Sequence, residues 1–225
     1  MSNIFNSDIE NFGVLLKGKS VKSVHDYHDN FDACFVVNNF ERELLQFENI
    51  LKEKEVAHFI NRLPTAPMSY SSYMAINIEK IMFMKPFDIF DINMLRNYFL
   101  CKVLRKKVFF LPRSIQRKDW GFGDEYKHKF PNAGILSLIY VLEVIKPKNL
   151  WVFGLDFYHG DYLSRRSHQN PIELQREKFD RLNLIDFTSN LFSCYEETKI
   201  NIVTSCEEFP AMNNVNKIIY NDEGV

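Results

Sequence analysis

Hydrophobic residues in this chain are concentrated in short unbroken runs. Residues 13–16 and 33–37 are apolar throughout, without the polar and apolar alternation of a half-exposed strand. Runs of this kind are typical of strands buried on both faces of a parallel sheet. Similar patterns predict further strands at 56–61, 80–83, 108–111, 150–154 and 200–203.

Four other segments have apolar residues spaced as in helices. They cover 40–55, 95–103, 135–145 and 173–197, with Pro147 closing the third. Strands that alternate with helices predict an α/β fold with a mostly parallel central sheet, in a single Rossmann-like three-layer domain over residues 1–225. The polar stretch 159–175 is predicted to be a mobile lid loop.

Composition narrows the class of protein. The chain has 225 residues, 46% of them hydrophobic, and a formal net charge of −1, which argues against a nucleic-acid partner. The N-terminus has no basic region ahead of an apolar one, and no apolar run could form a transmembrane segment. The four cysteines form no CxxC pair, which disfavours zinc. We therefore expect a cytoplasmic protein, leaving peripheral membrane association and oligomerisation open.

Polar residues follow several of the predicted strands. In open α/β sheets ligands bind outside the carboxyl ends of the strands. The residues at these positions are Lys17, Gly18, Lys19, Ser20, Asn38, Asn61 and Asp156. A helix that opens at Ala133 and Gly134 would offer backbone N–H groups to a phosphate. Neither a Walker A loop nor a GxGxxG dinucleotide motif is present.

Two segments resemble a known family. The sequence FPNAGILSL at 130–138, followed by LWVFGLDFY at 150–158, is similar to the second sialyltransferase motif. The ending Gly-Leu-Asp-Phe-Tyr is particularly like that of bacterial sialyltransferases with a GT-A-like fold. Residues 15–21, 31–38 and 59–61 resemble the opening strands of the same family.

This resemblance implies an inverting, metal-independent glycosyltransferase. Such an enzyme transfers a sialic-acid-like sugar from a CMP-activated donor to a glycan hydroxyl, with no separate cofactor. The residues that would surround the donor are Lys17, Gly18, Ser20, Asn38, Asn61, Asn132, Ala133, Gly134 and Asp156. Tyr158 matches a tyrosine that assists departure of CMP, and Tyr162 is the candidate for a second. Asp88 and Asp91 are too far apart for an Asp-x-Asp metal motif.

The chain also departs from the family pattern. Asn132 and Ala133 replace a Ser/Thr pair, Lys17 replaces an Asn, and no histidine follows His168, where the family has its general base. His168 is then the candidate base, with His128 as second choice, and Arg165 and Arg166 are candidates for binding an anionic substrate. Two alternatives stay open: a catalytically degenerate nucleotide- or glycan-binding relative, and a transferase that uses a Kdo-type donor.

Overall fold

The computed structural model describes residues 4–5, 9–38, 44–60, 78–85, 87–88, 90–117, 132–157 and 183–221. Within this part of the chain, eight strands form one sheet in which every pairing is parallel. The strands are β1 (Asn11–Leu15), β2 (Ala33–Val37), β3 (Glu55–Ile60), β4 (Lys80–Phe83), β5 (Lys107–Phe110), β6 (Asn149–Phe153), β7 (Lys199–Thr204) and β8 (Val215–Ile219). The predicted α/β fold with a parallel sheet is confirmed.

The strand order across the sheet is β5-β4-β3-β2-β1-β6-β7-β8. The chain moves outward from β1 to the β5 edge, then returns to the other side of β1 with β6 and moves outward again to β8. The sheet therefore reverses its winding direction between β1 and β6. Such a reversal is the topological switch point of a doubly wound sheet.

Helical segments cover both faces of the sheet. The α-helices are α1 (Val24–Tyr27), α2 (Glu48–Leu51), α3 (Ile92–Val103), α4 (Arg113–Arg117), α5 (Ala133–Tyr140) and α6, whose described residues are 183–193. A π-helical turn, Val141–Ile145, continues α5, and 3-10 segments cover Lys19–Ser23, His28–Asn30 and Leu44–Phe47. None of the helices in the described ranges is both long and apolar enough to cross a membrane.

Alternate residues of the strands enter two separate hydrophobic cores. Val14 and Phe35 pack in one core with α5 and α6. Leu15 and Val36 pack in the other with the segments around α1 and α2 and with α3. All five residues of β2 are buried. Burial on both faces explains why these strands are apolar throughout, and it gives the molecule three layers.

One predicted helix and the predicted end of the sheet differ from the structure. Among the described residues of the predicted helix 40–55, only short helical turns form at 44–51, because the chain turns at 52–54 to begin β3 at Glu55 beside Ala33. The sheet also has one strand more than the sequence pattern predicts. The additional strand is β8, in which Asn216 and Lys217 interrupt the apolar run that would indicate a strand.

Candidate functional site

The candidate site is the carboxyl edge of the sheet at the switch point. We call residues 16–20, which follow β1, and residues 154–157, which follow β6, the switch-point loops. Leu16 N–H donates to the carbonyl oxygen of Phe153 at 2.8 Å, and Gly18 N–H donates to the carbonyl oxygen of Gly154 at 3.0 Å. The two loops thus stay paired for a short distance beyond the strands.

Asp156 joins the switch-point loops to the end of β7. Its Oδ2 accepts from Ser20 N–H at 3.0 Å, and its Oδ1 accepts from Ser20 Oγ at 2.6 Å and from Ser205 N–H at 2.9 Å. Ser20 Oγ in turn accepts from Gly154 N–H at 3.0 Å. Asp156 is 4% exposed and Ser20 is fully buried, so this network lies beneath the site surface.

The two glycines of the loops are required by close backbone contacts. A Cβ at Gly18 would lie 2.2 Å from Asp156 Oδ2, so only glycine leaves room for the carboxylate. Gly154 has a φ of 75°, and a Cβ there would lie 2.5 Å from the carbonyl oxygen of Leu16. Both positions therefore fix the shape of the loops around Asp156.

Helix α5 begins at the same edge of the sheet. Asn132 is its N-cap residue, and its Oδ1 accepts from Ile135 N–H at 3.0 Å. Ala133 and Gly134 form the first turn and are buried. A Cβ at Gly134 would lie 3.3 Å from both methyl groups of Leu16. The helix start thus packs directly on the first residue of the switch-point loops.

Asn38 and Lys17 follow the neighbouring parallel strands β2 and β1 at the carboxyl edge of the sheet. Both are partly buried, and each comes just after a strand of the parallel pair β1 and β2. Asn38 has a left-handed main chain with a φ of 60°. Its carbonyl oxygen accepts a hydrogen bond from Nε2 of His58 in β3. Burial lowers the pKa of His58 to about 4, and the hydrogen bond to Asn38 acts in the opposite direction.

The structure thus brings seven sequence-predicted residues to one edge of the sheet: Lys17, Gly18, Ser20, Asn38, Ala133, Gly134 and Asp156. Asn132 lies there too, as a helix cap. Of these, Asp156 and Ser20 use their side chains to hold the loops together. Seven further candidates lie outside the described residues, as does the predicted lid at 159–175: Asn61, His128, Tyr158, Tyr162, Arg165, Arg166 and His168.

No protein family model, curated protein or solved structure matches this chain.

Asp88 and Asp91 lie before and at the start of α3 and are too far apart in sequence for an Asp-x-Asp metal motif. Asp91 is the N-cap of α3, accepting from Asn93 N–H and Met94 N–H, and Asp88 accepts from Phe90 N–H. Both carboxylates therefore serve local turns. Among the described residues, no group of three or more His, Cys, Asp or Glu side chains could hold a metal ion.

His58 and the end of β7 contribute to the site although no predicted motif includes them. A histidine inside an otherwise apolar strand is a signal for a specific hydrogen bond. Thr204 and Ser205 belong to no recognisable sequence motif. Thr204 Oγ1 donates to the carbonyl oxygen of Leu155 at 2.7 Å, which fixes the loop after β6 from the other side.

Proposed function

We propose that this protein is a sialyltransferase-like glycosyltransferase that binds a CMP-activated acid sugar at the switch point. The observation that carries the proposal is the contact of Leu16 with both halves of the family-like motif. Leu16 N–H donates to the carbonyl oxygen of Phe153, the residue before the Gly-Leu-Asp-Phe-Tyr ending, and Leu16 packs against Gly134 in the Pro-Asn-Ala-Gly turn. Two segments that resemble one motif in sequence therefore adjoin where a doubly wound sheet binds its ligand.

The charge and hydrogen-bonding groups at this edge suit a nucleotide phosphate. The amino end of α5 contributes a positive dipole end. Lys17 adds a cation, and the amide of Asn38 supplies donors and an acceptor for a base or ribose. The carboxylate of Asp156 is buried and hydrogen-bonded to Ser20 and Ser205, so its role is to hold the loops rather than to contact the ligand.

The proposed reaction is an inverting displacement. The acceptor hydroxyl attacks the anomeric carbon while a base takes its proton, and the bond from that carbon to the phosphate oxygen breaks. CMP leaves with the bonding electrons. His168 is the proposed base, Tyr158 and Tyr162 assist departure of CMP, and Arg165 and Arg166 bind an anionic substrate.

Calorimetry with CMP and CDP tests the site. We expect CMP to bind, and Lys17→Ala to weaken binding about fivefold through loss of one charge contact. The matched control is Lys199→Ala. It removes the same charge at the first residue of β7, which lies at the opposite, amino edge of the sheet. Absence of CMP binding at millimolar concentration would overturn the donor assignment.

A second function, binding without turnover, is favoured by one observation. The side chains of Asn132, Ser20 and Asp156 already accept hydrogen bonds from the protein's own backbone. Release of CMP from CMP-sialic acid and from a Kdo-type donor separates the alternatives. Binding of CMP with no hydrolysis or transfer, and no effect of His168→Ala, would favour a binding protein. Turnover of one donor only would identify the sugar.

A further inference from the structure

Asn38 is held by both polar groups of its main chain. Its N–H donates to the carbonyl oxygen of Phe59 at 2.9 Å, and its carbonyl oxygen accepts from His58 Nε2. Its φ of 60° is the left-handed conformation, which costs a non-glycine residue on the order of 1 kcal/mol. Asn tolerates this conformation better than most residues. Strand β3 thus secures the turn that ends β2.

His58 is a buried polar residue in an apolar strand. It is fully buried, with Ala57 and Phe59 as sequence neighbours and Val36 beside it on β2. Because a carbonyl oxygen only accepts, the hydrogen bond to Asn38 requires the tautomer with a proton on Nε2. An apolar side chain would suit this core without the cost of burying an imidazole. The hydrogen bond to the carbonyl oxygen of Asn38 offsets part of that cost.

The side-chain amide of Asn38 makes no hydrogen bond within the described part of the chain. It belongs to the carboxyl edge, where β1 and β2 end together and Lys17 follows β1. A left-handed turn at Asn38 directs the chain away from β2 at this point. The direction of the amide depends on that turn, and hence on the two hydrogen bonds from β3.

We propose that His58 is the positioning residue for Asn38, holding its main chain in the left-handed conformation so that its amide binds the nucleoside part of the ligand. This inference rests on the proposed function for the identity of the ligand. The hydrogen bond from His58 to Asn38 is the structural part of it. The contribution of Asn38 to nucleotide affinity is the functional part.

Calorimetry with CMP on four variants tests the functional part. His58→Leu removes the donor at similar volume, and we expect it to weaken CMP binding about five- to tenfold. His58→Gln retains an N–H donor and is expected to bind within about twofold of the native protein. In the double variant with Asn38→Ala, His58→Leu should add no further loss. Unchanged affinity in folded His58→Leu, or a loss additive with Asn38→Ala, would overturn the proposal.

NMR on the unliganded protein separates this inference from the proposed function. If the native protein does not bind CMP, the proposed function fails, and the ¹³Cα and ¹³Cβ shifts of Asn38 still report its conformation. We expect left-handed shifts in the native protein and in His58→Gln, and altered ones in His58→Leu. If His58→Leu does not fold, the ¹⁵N shifts of the native His58 ring decide. A proton on Nδ1 in place of Nε2 would overturn the proposed hydrogen bond.

Discussion

At the scale of single residues, the site is built around the buried carboxylate of Asp156. It accepts from Ser20 and Ser205, which follow two other strands. Gly18 is the residue that makes room for it, since a Cβ there would lie 2.6 Å from both the carboxyl carbon and the carbonyl oxygen of Gly154. Neither neighbour is the free end of a flexible side chain, so neither can move at low cost.

Gly18→Ala is expected to destabilise the fold by about 3 kcal/mol or more, through overpacking and displacement of the Asp156 hydrogen bonds. Gly134→Ala is the matched control. Its new Cβ meets the methyl groups of Leu16 at 3.3 Å, and alanine favours the helix by up to about 1 kcal/mol, so we expect little change. Urea unfolding of both variants measures the difference. Equal midpoints for the two would contradict this account of Gly18.

The burial of His58 predicts a pH dependence of stability. Because the pKa of His58 falls from 6.5 to about 4 on folding, the unfolded chain takes up a proton in this interval and the folded protein does not. The contribution of neutral His58 to the free energy of unfolding is therefore fully present above about pH 6.5 and is lost as the pH falls towards 4.

Between pH 7 and pH 5 this linkage amounts to about 2 kcal/mol. Urea unfolding of the native protein and of His58→Leu at both pH values isolates the effect, because the other titrating groups are common to both. The native protein should lose about 2 kcal/mol more than the variant. Parallel losses would show that His58 does not titrate with the predicted shift.

At the scale of secondary structure, seven of the eight described strands were predictable from the sequence, and the order of the strands in the sheet was not. Runs such as Ala33–Val37 predict buried parallel strands because burial on both faces removes alternation. The placement of β6 beside β1 has no local signal, and Ser20 contacts Asp156 across 136 residues of sequence. The role of His58 could not be inferred from the sequence either, since the left-handed turn at Asn38 depends on contacts between two neighbouring strands.

Helix α5 offers a test of whether Asn132 acts as a cap or as a ligand. Its side chain caps Ile135 N–H, so Asn132→Ala should lower the free energy of unfolding by about 1 kcal/mol, and Asn132→Ser should retain most of it. Denaturant unfolding measures the cap, and CMP calorimetry on the same variants measures binding. A cap that does not contact the ligand leaves Asn132→Ser with native affinity. Weakened binding in the stable serine variant would instead indicate direct contact.

At the scale of the whole molecule, the two ends of the sheet differ in construction. The carboxyl edge holds the switch-point loops, the turn at Asn38 and the start of α5. At the amino edge, Asn149 Nδ2 donates to Asn11 Oδ1, and exposed Lys148 pairs with Glu10. A ligand bound at the switch point should therefore suppress local opening at one edge only.

Hydrogen exchange with and without CMP tests this directly. We expect slower exchange in residues 16–20, 38 and 154–157, because ligand contacts oppose local opening of these loops. Residues 9–11 and 148–149 at the amino edge are the internal control and should exchange at the same rate with and without CMP. Exchange must be measured over seconds. At longer times amides exchange through global unfolding, which a bound ligand suppresses at both edges alike. Protection confined to the amino edge, or absent from the switch-point loops despite measured CMP binding, would place the nucleotide elsewhere on the molecule.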